Sequence, residues 1–226
     1  MIAEGAEVER FMQSKAFRAS MQGLSDKATY ETDQREYKSR EWALLPPTVN
    51  TDQFEQVIVP LVRAHAVAAR ERGGVSVDLA VKSMLGMRED LYKSWLGQFM
   101  YFYMGPPRYR PLPVMLGVWH MMQERDEQLR LLAGYDTTDL VEPPILEEFY
   151  TEHLGTGVKV WCVQKPEKRR QPLCGLLGYA WRSEELETDL HLKTMCTDLG
   201  WLQAAMPGIE EFARAIRIVP RRDAGD

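Results

Sequence analysis

The side chains that most often build a reactive site are scarce in this chain: four His and three Cys in 226 residues. Cys162, Cys174, Cys196 and His191 all fall in the last third. The gaps between them are long, however, whereas structural zinc sites announce themselves by closely paired ligands. His65 and His120 sit among apolar neighbours, the setting of a satisfied core or boundary histidine. His153 falls where the last turn of a helix is expected, and there its charge complements the helix dipole. Asp189 and His191 are two apart, so on a helix they point to different sides and form no dyad. Carboxylates at Glu124, Asp126, Glu127, Glu147, Glu148, Glu184 and Glu185 read as helix starts and solvated faces.

Phosphate cradles are also missing. Gly73-Gly74 and Gly155-Thr156-Gly157 lack both a preceding strand signal and a following Lys-Ser/Thr, which leaves them the role of helix terminators. There is no Gly-x-Ser-x-Gly elbow, no His-Glu-x-x-His helix and no Cys-x-x-Cys pair. The sequence therefore assigns no catalytic residue, no cofactor and no metal, and the expectation is a chain that is not an enzyme. An enzyme with an unfamiliar site is the third reading, and it would need His120 or His191 in a pocket beside a carboxylate.

Two features invite a binding role. Between Leu91 and Met122 the chain concentrates Tyr, Trp, Phe and Met, and the run Trp95 to Met104 has no polar face. Such residues are enriched at interfaces between proteins. Trp42, Trp95, Phe99, Tyr101, Phe102, Tyr103 and Tyr109 are accordingly the expected partner-binding residues. The bland alternative is a helical core, since core helices also need bulky residues. The second feature is a basic tip, Lys165, Lys168, Arg169 and Arg170, between segments bearing Trp161 and Trp181, with Arg108 and Arg110 repeating the theme around Tyr109. Basic residues beside aromatics suit RNA, an acidic protein or anionic lipid heads. Against RNA, the stretch from Glu124 to Glu152 holds nine acids and two Arg, a field that repels a phosphate backbone.

The elements that would position these residues read as mostly helical. Helices are expected from the spacing of Phe54, Val57, Ile58, Leu61 and Val62, of Leu79, Val81, Met84 and Leu85, and over Arg88 to Met104. Another should start at Pro113 and run through Val114, Val118, Met121, Leu129 and Leu132 to Gly134. Pro143-Pro144 with Glu147 and Glu148 opens one whose apolar side is Ile145, Leu146, Phe149 and Tyr150 and which Gly155 closes. Ser183 begins one carrying Leu192, Met195, Cys196, Leu199 and Leu202, and Ile209, Phe212, Ala213 and Ile216 form the last. Only residues 158–181 read as strand, a hairpin in which Val158, Val160 and Cys162 alternate with Lys159, Trp161 and Val163.

The resulting expectation is a mainly α, multi-helix globular domain with one small β-hairpin. Residues 1–47 form an N-terminal helix and extended arm anchored by Trp42, 48–220 the helical domain, and 221–226 a mobile tail. With 45% apolar residues and a net charge of -5 the chain has the makings of a real core and is neither disordered nor uniformly nucleic-acid coating. An odd number of Cys fits a reducing intracellular compartment, cytoplasm or organelle matrix, with the mitochondrion as one setting. The opening residues lack the basic start and apolar run of a secretory signal. No segment reaches the roughly 18 to 20 uncharged apolar residues of a membrane span.

Together these features point to a non-catalytic structural or scaffold subunit. It would bury aromatic and Met-rich surface against other protein subunits, of its own kind or different, in an assembly such as an organellar membrane-associated or ribosomal complex. The alternative is an RNA-binding nucleoprotein or coat-like subunit that self-assembles.

Overall fold

The computed structural model describes residues 28–32, 41–45, 99–105, 111–165 and 172–220. Within them the order is β1 (Ala28–Thr32), β2 (Trp42–Leu45), β3 (Phe99–Tyr103), β4 (Leu112–His120), α1 (Arg125–Ala133), β5 (Ile145–Thr151), β6 (Gly155–Gln164), β7 (Cys174–Ser183), β8 (Thr188–Cys196), α2 (Leu199–Arg214) and β9 (Ile216–Pro220). The mainly helical fold expected from the sequence is thereby overturned: nine strands and two helices make the described part a β-protein. Seven strands form one sheet in the order β2-β3-β4-β8-β7-β6-β5, and β1 pairs with β9 in a second. Every neighbouring pair is antiparallel. Segments 28–32 and 42–45, expected in an arm, are strands of these two sheets.

Each correction has a local cause. The run Phe99–Tyr103 is apolar on every side because β3 is covered on both faces: Tyr101 and Tyr103 are buried, and so is Phe102 between them, pointing the opposite way. In β8, Leu190 and Leu192 alternate with Asp189, His191 and Lys193, a period of two. Ser183 starts a turn instead of a helix. Its Oγ accepts from Leu186 N at 3.3 Å, the bond a helix cap would make, but Glu187 then adopts φ 48° and sends the chain back along β7. The expected helix over 145–155 is the β5–β6 hairpin. Gly155, at φ 69°, supplies the left-handed residue that a three-residue hairpin loop requires.

The expected helix from Pro113 to Gly134 divides: its first half is β4, its second is α1. Asp126 and Glu127 lie in the first turn of α1, and Gly134 closes it by donating to the carbonyls of Arg130 and Leu131. α2 opens on Asp198, whose Oδ1 accepts from Trp201 N at 2.9 Å. The hairpin expected at 158–181 is present as β6–β7, two strands of the large sheet. The N-terminal helix and the helices expected over Phe54 to Val62 and Leu79 to Leu85 lie outside the described residues.

The two helices cover opposite faces of the sheet. A side chain at Gly175 would meet Leu199 and Leu202 of α2, whereas one at Gly178, facing the other way, would strike the carbonyl of Ala133 in α1. α2 buries Leu202, Ala205, Ile209 and Phe212 against Leu116, Leu177, Tyr179, Leu190 and Leu192. α1 buries Leu129 and Ala133 against Val160, Cys162, Leu176 and Ala180. Gly178 is what lets the α1 backbone lie so close to β7.

Candidate partner-binding edge

β5 ends the seven-stranded sheet and pairs on one side with β6. Among the described residues no strand lies on its other side. The edge is lengthened by the segment before it: Leu140 bridges to Gln164, Val141 N donates to Val163 O at 2.8 Å, and Lys165 N donates to Asp139 O at 2.7 Å. Pro143 and Pro144 interrupt this rim and offer no N–H there. What holds β5 down is Phe149, buried with its ring 4.8 Å from that of Tyr179 and with the Arg214 guanidinium 5.1 Å above it. Thr151 is buried too, and its Oγ1 accepts from Leu154 N at 3.1 Å in the turn. The rest of the rim faces water: Val141 is 46% exposed, Ile145 55% and Tyr150 67%. An antiparallel edge strand presents outward N–H and C=O groups at every second residue, so the rim carries backbone bonding capacity as well as apolar side chains.

Its charge is set by the same stretch. Nine acids and two Arg between Glu124 and Glu152 make this stretch alone more acidic than the whole chain, at -5. Glu147 is 3.3 Å from Lys159 Nζ, which also lies 3.0 Å from Glu210 Oε1. Burial works against the Lys159 ammonium, but the two carboxylates outweigh it and raise its pKa. Tyr179 donates to Glu210 Oε1 at 3.4 Å, and burial together with Glu210 pushes its hydroxyl far up, so it remains a donor. Arg214 closes the group on Glu210 Oε2 at 3.5 Å. This network ties α2 to the sheet beside β5. Glu148 is exposed and forms no ion pair among the described residues.

No protein-family model matches this sequence, and no curated protein does. A search of solved structures finds the crystal structure of LpqN, described as involved in cell envelope biogenesis of Mycobacterium tuberculosis. It shares 11% identity, with 87% of each chain covered and a TM-score of 0.43. At that level of likeness the reading of the site rests on this chain's own geometry.

The residues expected to bind partners are largely spent inside the chain. Trp42, Tyr101, Phe102 and Tyr103 are buried, and Phe99 is half-buried. Trp42 stacks on Phe212 at 4.2 Å, Tyr101 lies 4.7 Å from the same ring, and Tyr103 stacks on Trp201 at 5.7 Å. Their polar tips are satisfied as well, Tyr101 on the Tyr30 hydroxyl at 2.7 Å and Tyr103 on Glu41 at 3.3 Å. Trp95 and Tyr109 lie outside the described residues. So do Arg108, Arg110, Lys168, Arg169 and Arg170; Lys165 is described, exposed at the end of β6. The sequence reading missed Val141 and assigned Ile145, Glu147, Glu148 and Tyr150 to a helix. The available signal was Pro143-Pro144, then β-branched and aromatic residues, then Gly155.

Two buried polar clusters occupy the sheet's α1 side. Arg182 holds Asp189 with both arms, Nε to Oδ1 at 2.7 Å and Nη2 to Oδ2 at 2.8 Å. Asp189 and His191 thus share a strand face, contrary to the helical expectation, but they are differently engaged. Gln128 joins the Arg182 cluster, accepting from Met122 N and Gln123 N and donating to the His120 carbonyl. It fixes the connection from β4 to α1. In the second cluster Trp119 Nε1 donates to His191 Nδ1 at 3.1 Å, which leaves the imidazole proton on Nε2. Burial, then the charge of Lys193, lowers the His191 pKa to about 3. Burial also lowers the Lys193 ammonium and raises the Cys162 thiol. Each group is driven towards its neutral form, as desolvation alone dictates. No group of three or more His, Cys, Asp or Glu that could hold a metal occurs among the described residues. Cys162 faces Leu176 and Cys174 faces Gln164, so these two thiols are diagonal, and both are free. No helix among the described residues is long and apolar enough to cross a membrane.

Proposed function

We propose that this chain is a non-catalytic subunit that docks onto another protein, and that the docking surface is the acidic rim formed by β5 and the segment before it. The observation that carries this reading is the pairing of exposure with composition: Val141, Ile145 and Tyr150 stand out in water on a sheet edge in a stretch with nine acids and two Arg. Isolated exposed apolar residues are ordinary. Apolar residues lined up on an edge with free backbone bonding groups are a hazard that a solitary chain would blunt. The assembly role rests on this rim and no longer on the aromatic belt, which α2 covers.

The test is the native mass of the chain in extracts of its source. The reading expects a species well above the chain's own 26.0 kDa that survives nuclease. A variant carrying Ile145→Ser, Glu148→Lys and Tyr150→Ser should run as the monomer. Retention of that variant in the complex overturns the reading, and collapse of the complex on nuclease treatment favours the nucleoprotein alternative.

A further inference from the structure

Resting on that reading, we infer that the partner is an extended, basic segment that adds to β5 as an eighth strand of the sheet. Three observations on β5 narrow the occupant. The first is that the rim is a strand edge and not a flat patch, so a ligand that supplies its own row of N–H and C=O groups gains the most from it. The second is the distribution of side chains. Ile145 and Tyr150 bracket Glu147 and Glu148, and because alternate residues point to opposite faces, the two carboxylates stand on opposite sides of the sheet. A strand laid alongside therefore needs two consecutive basic residues, one for each face, with an apolar residue about two positions to either side. The third weighs against a second copy of this strand centred on the two acids. Antiparallel pairing about a two-fold axis at Glu147, at Glu148 or between them puts carboxylate opposite carboxylate, and like charges directly opposite destabilise a pair. Glu147 already shares Lys159 with Glu210, so of the two acids Glu148 has the more to gain from an incoming cation.

The probe is the capped hexapeptide Val-Thr-Arg-Lys-Thr-Val, titrated into the full chain by fluorescence anisotropy. Two further versions carry backbone N-methyl groups, one at odd and one at even positions. Methylation keeps the charge and removes the N–H. Only one phase faces the protein in a strand, so one methylated peptide should bind like the parent and the other at least about tenfold more weakly. Salt should weaken the parent peptide, and Glu148→Lys, at an exposed position that leaves the fold intact, should weaken it by a similar factor.

Equal binding of both methylated peptides overturns strand addition while leaving a charged docking rim in place. Absence of binding by the parent peptide overturns strand addition as well, and the native-mass test then decides separately whether the rim docks anything. Self-association of the unaltered chain that Ile145→Ser and Tyr150→Ser abolish overturns the inference in favour of a second copy.

Discussion

Tyr101 and Tyr150 lie towards opposite ends of one sheet. Tyr101 has its ring against Phe212 and its hydroxyl on Tyr30, while Tyr150 leaves two-thirds of its surface in water. Around Tyr101, Trp42, Tyr103 and Trp201 of α2 complete a closed aromatic layer between α2 and the sheet. Around Tyr150 there are Ile145, Val141 and carboxylates, on a strand that has a neighbour on one side among the described residues. Aromatic density in the sequence is thus a poor guide to which surface stays exposed. A dense cluster recruits its own cover, because each large ring removed from water stabilises the fold by a few kcal/mol. A surface kept for a partner must instead tolerate water when alone, which favours few apolar residues set among charges.

Phe212→Ala removes the ring that Trp42 and Tyr101 both contact, and the expected loss is about 3–5 kcal/mol of unfolding free energy, read from the urea midpoint. Below that midpoint the hexapeptide should bind unchanged. On the other face, Gly178→Ala drives a methyl into the Ala133 carbonyl and should cost about 1–3 kcal/mol by lifting α1 from the sheet.

Acid gives a third handle. His191 is held to about 3 in the fold against about 6.5 in an unfolded chain. Between those values the unfolded chain takes up a proton that the folded one refuses, so stability falls as pH drops through the window. The slope from this one group is at most about 1.4 kcal/mol per pH unit, and above about pH 6.5 it contributes none. His191→Asn, which keeps an acceptor for Trp119, should flatten that acid slope in urea melts taken across the window. The smallest expected effect on stability belongs to the open end: Glu148→Lys should shift the unfolding free energy by less than about 0.5 kcal/mol. A loss of binding without a loss of stability is what separates the rim from the layer under α2.

How much of this was legible in the sequence follows from how each strand is covered. β6 and β7 were readable because Val158, Val160 and Cys162 alternate cleanly with residues facing the other way, and the end of α1 was readable because Gly134 closes it in the ordinary manner. β3 was not, since an element buried on both faces has no period to detect, and Phe99–Tyr103 fits an all-apolar helix equally well. β5 was misread because Ile145, Leu146, Phe149 and Tyr150 recur at helical intervals even though only Phe149 among them is fully buried. β8 does carry the alternation of Leu190, His191, Leu192 and Lys193, but Ser183 followed by Glu184 and Glu185 reads as a helix start, and the positive φ of Glu187 prevents that helix. The candidate rim was hidden by the same errors. Its residues were noticed as acids and as a helix stripe, and only the sheet order reveals that they share an edge.

The most direct measurement is hydrogen exchange across the full chain with and without the dibasic peptide. The account predicts slowed exchange at alternate amides of β5, with β3 and its neighbours under α2 unchanged. Protection centred on Phe99–Tyr103, with β5 unaffected, would contradict it.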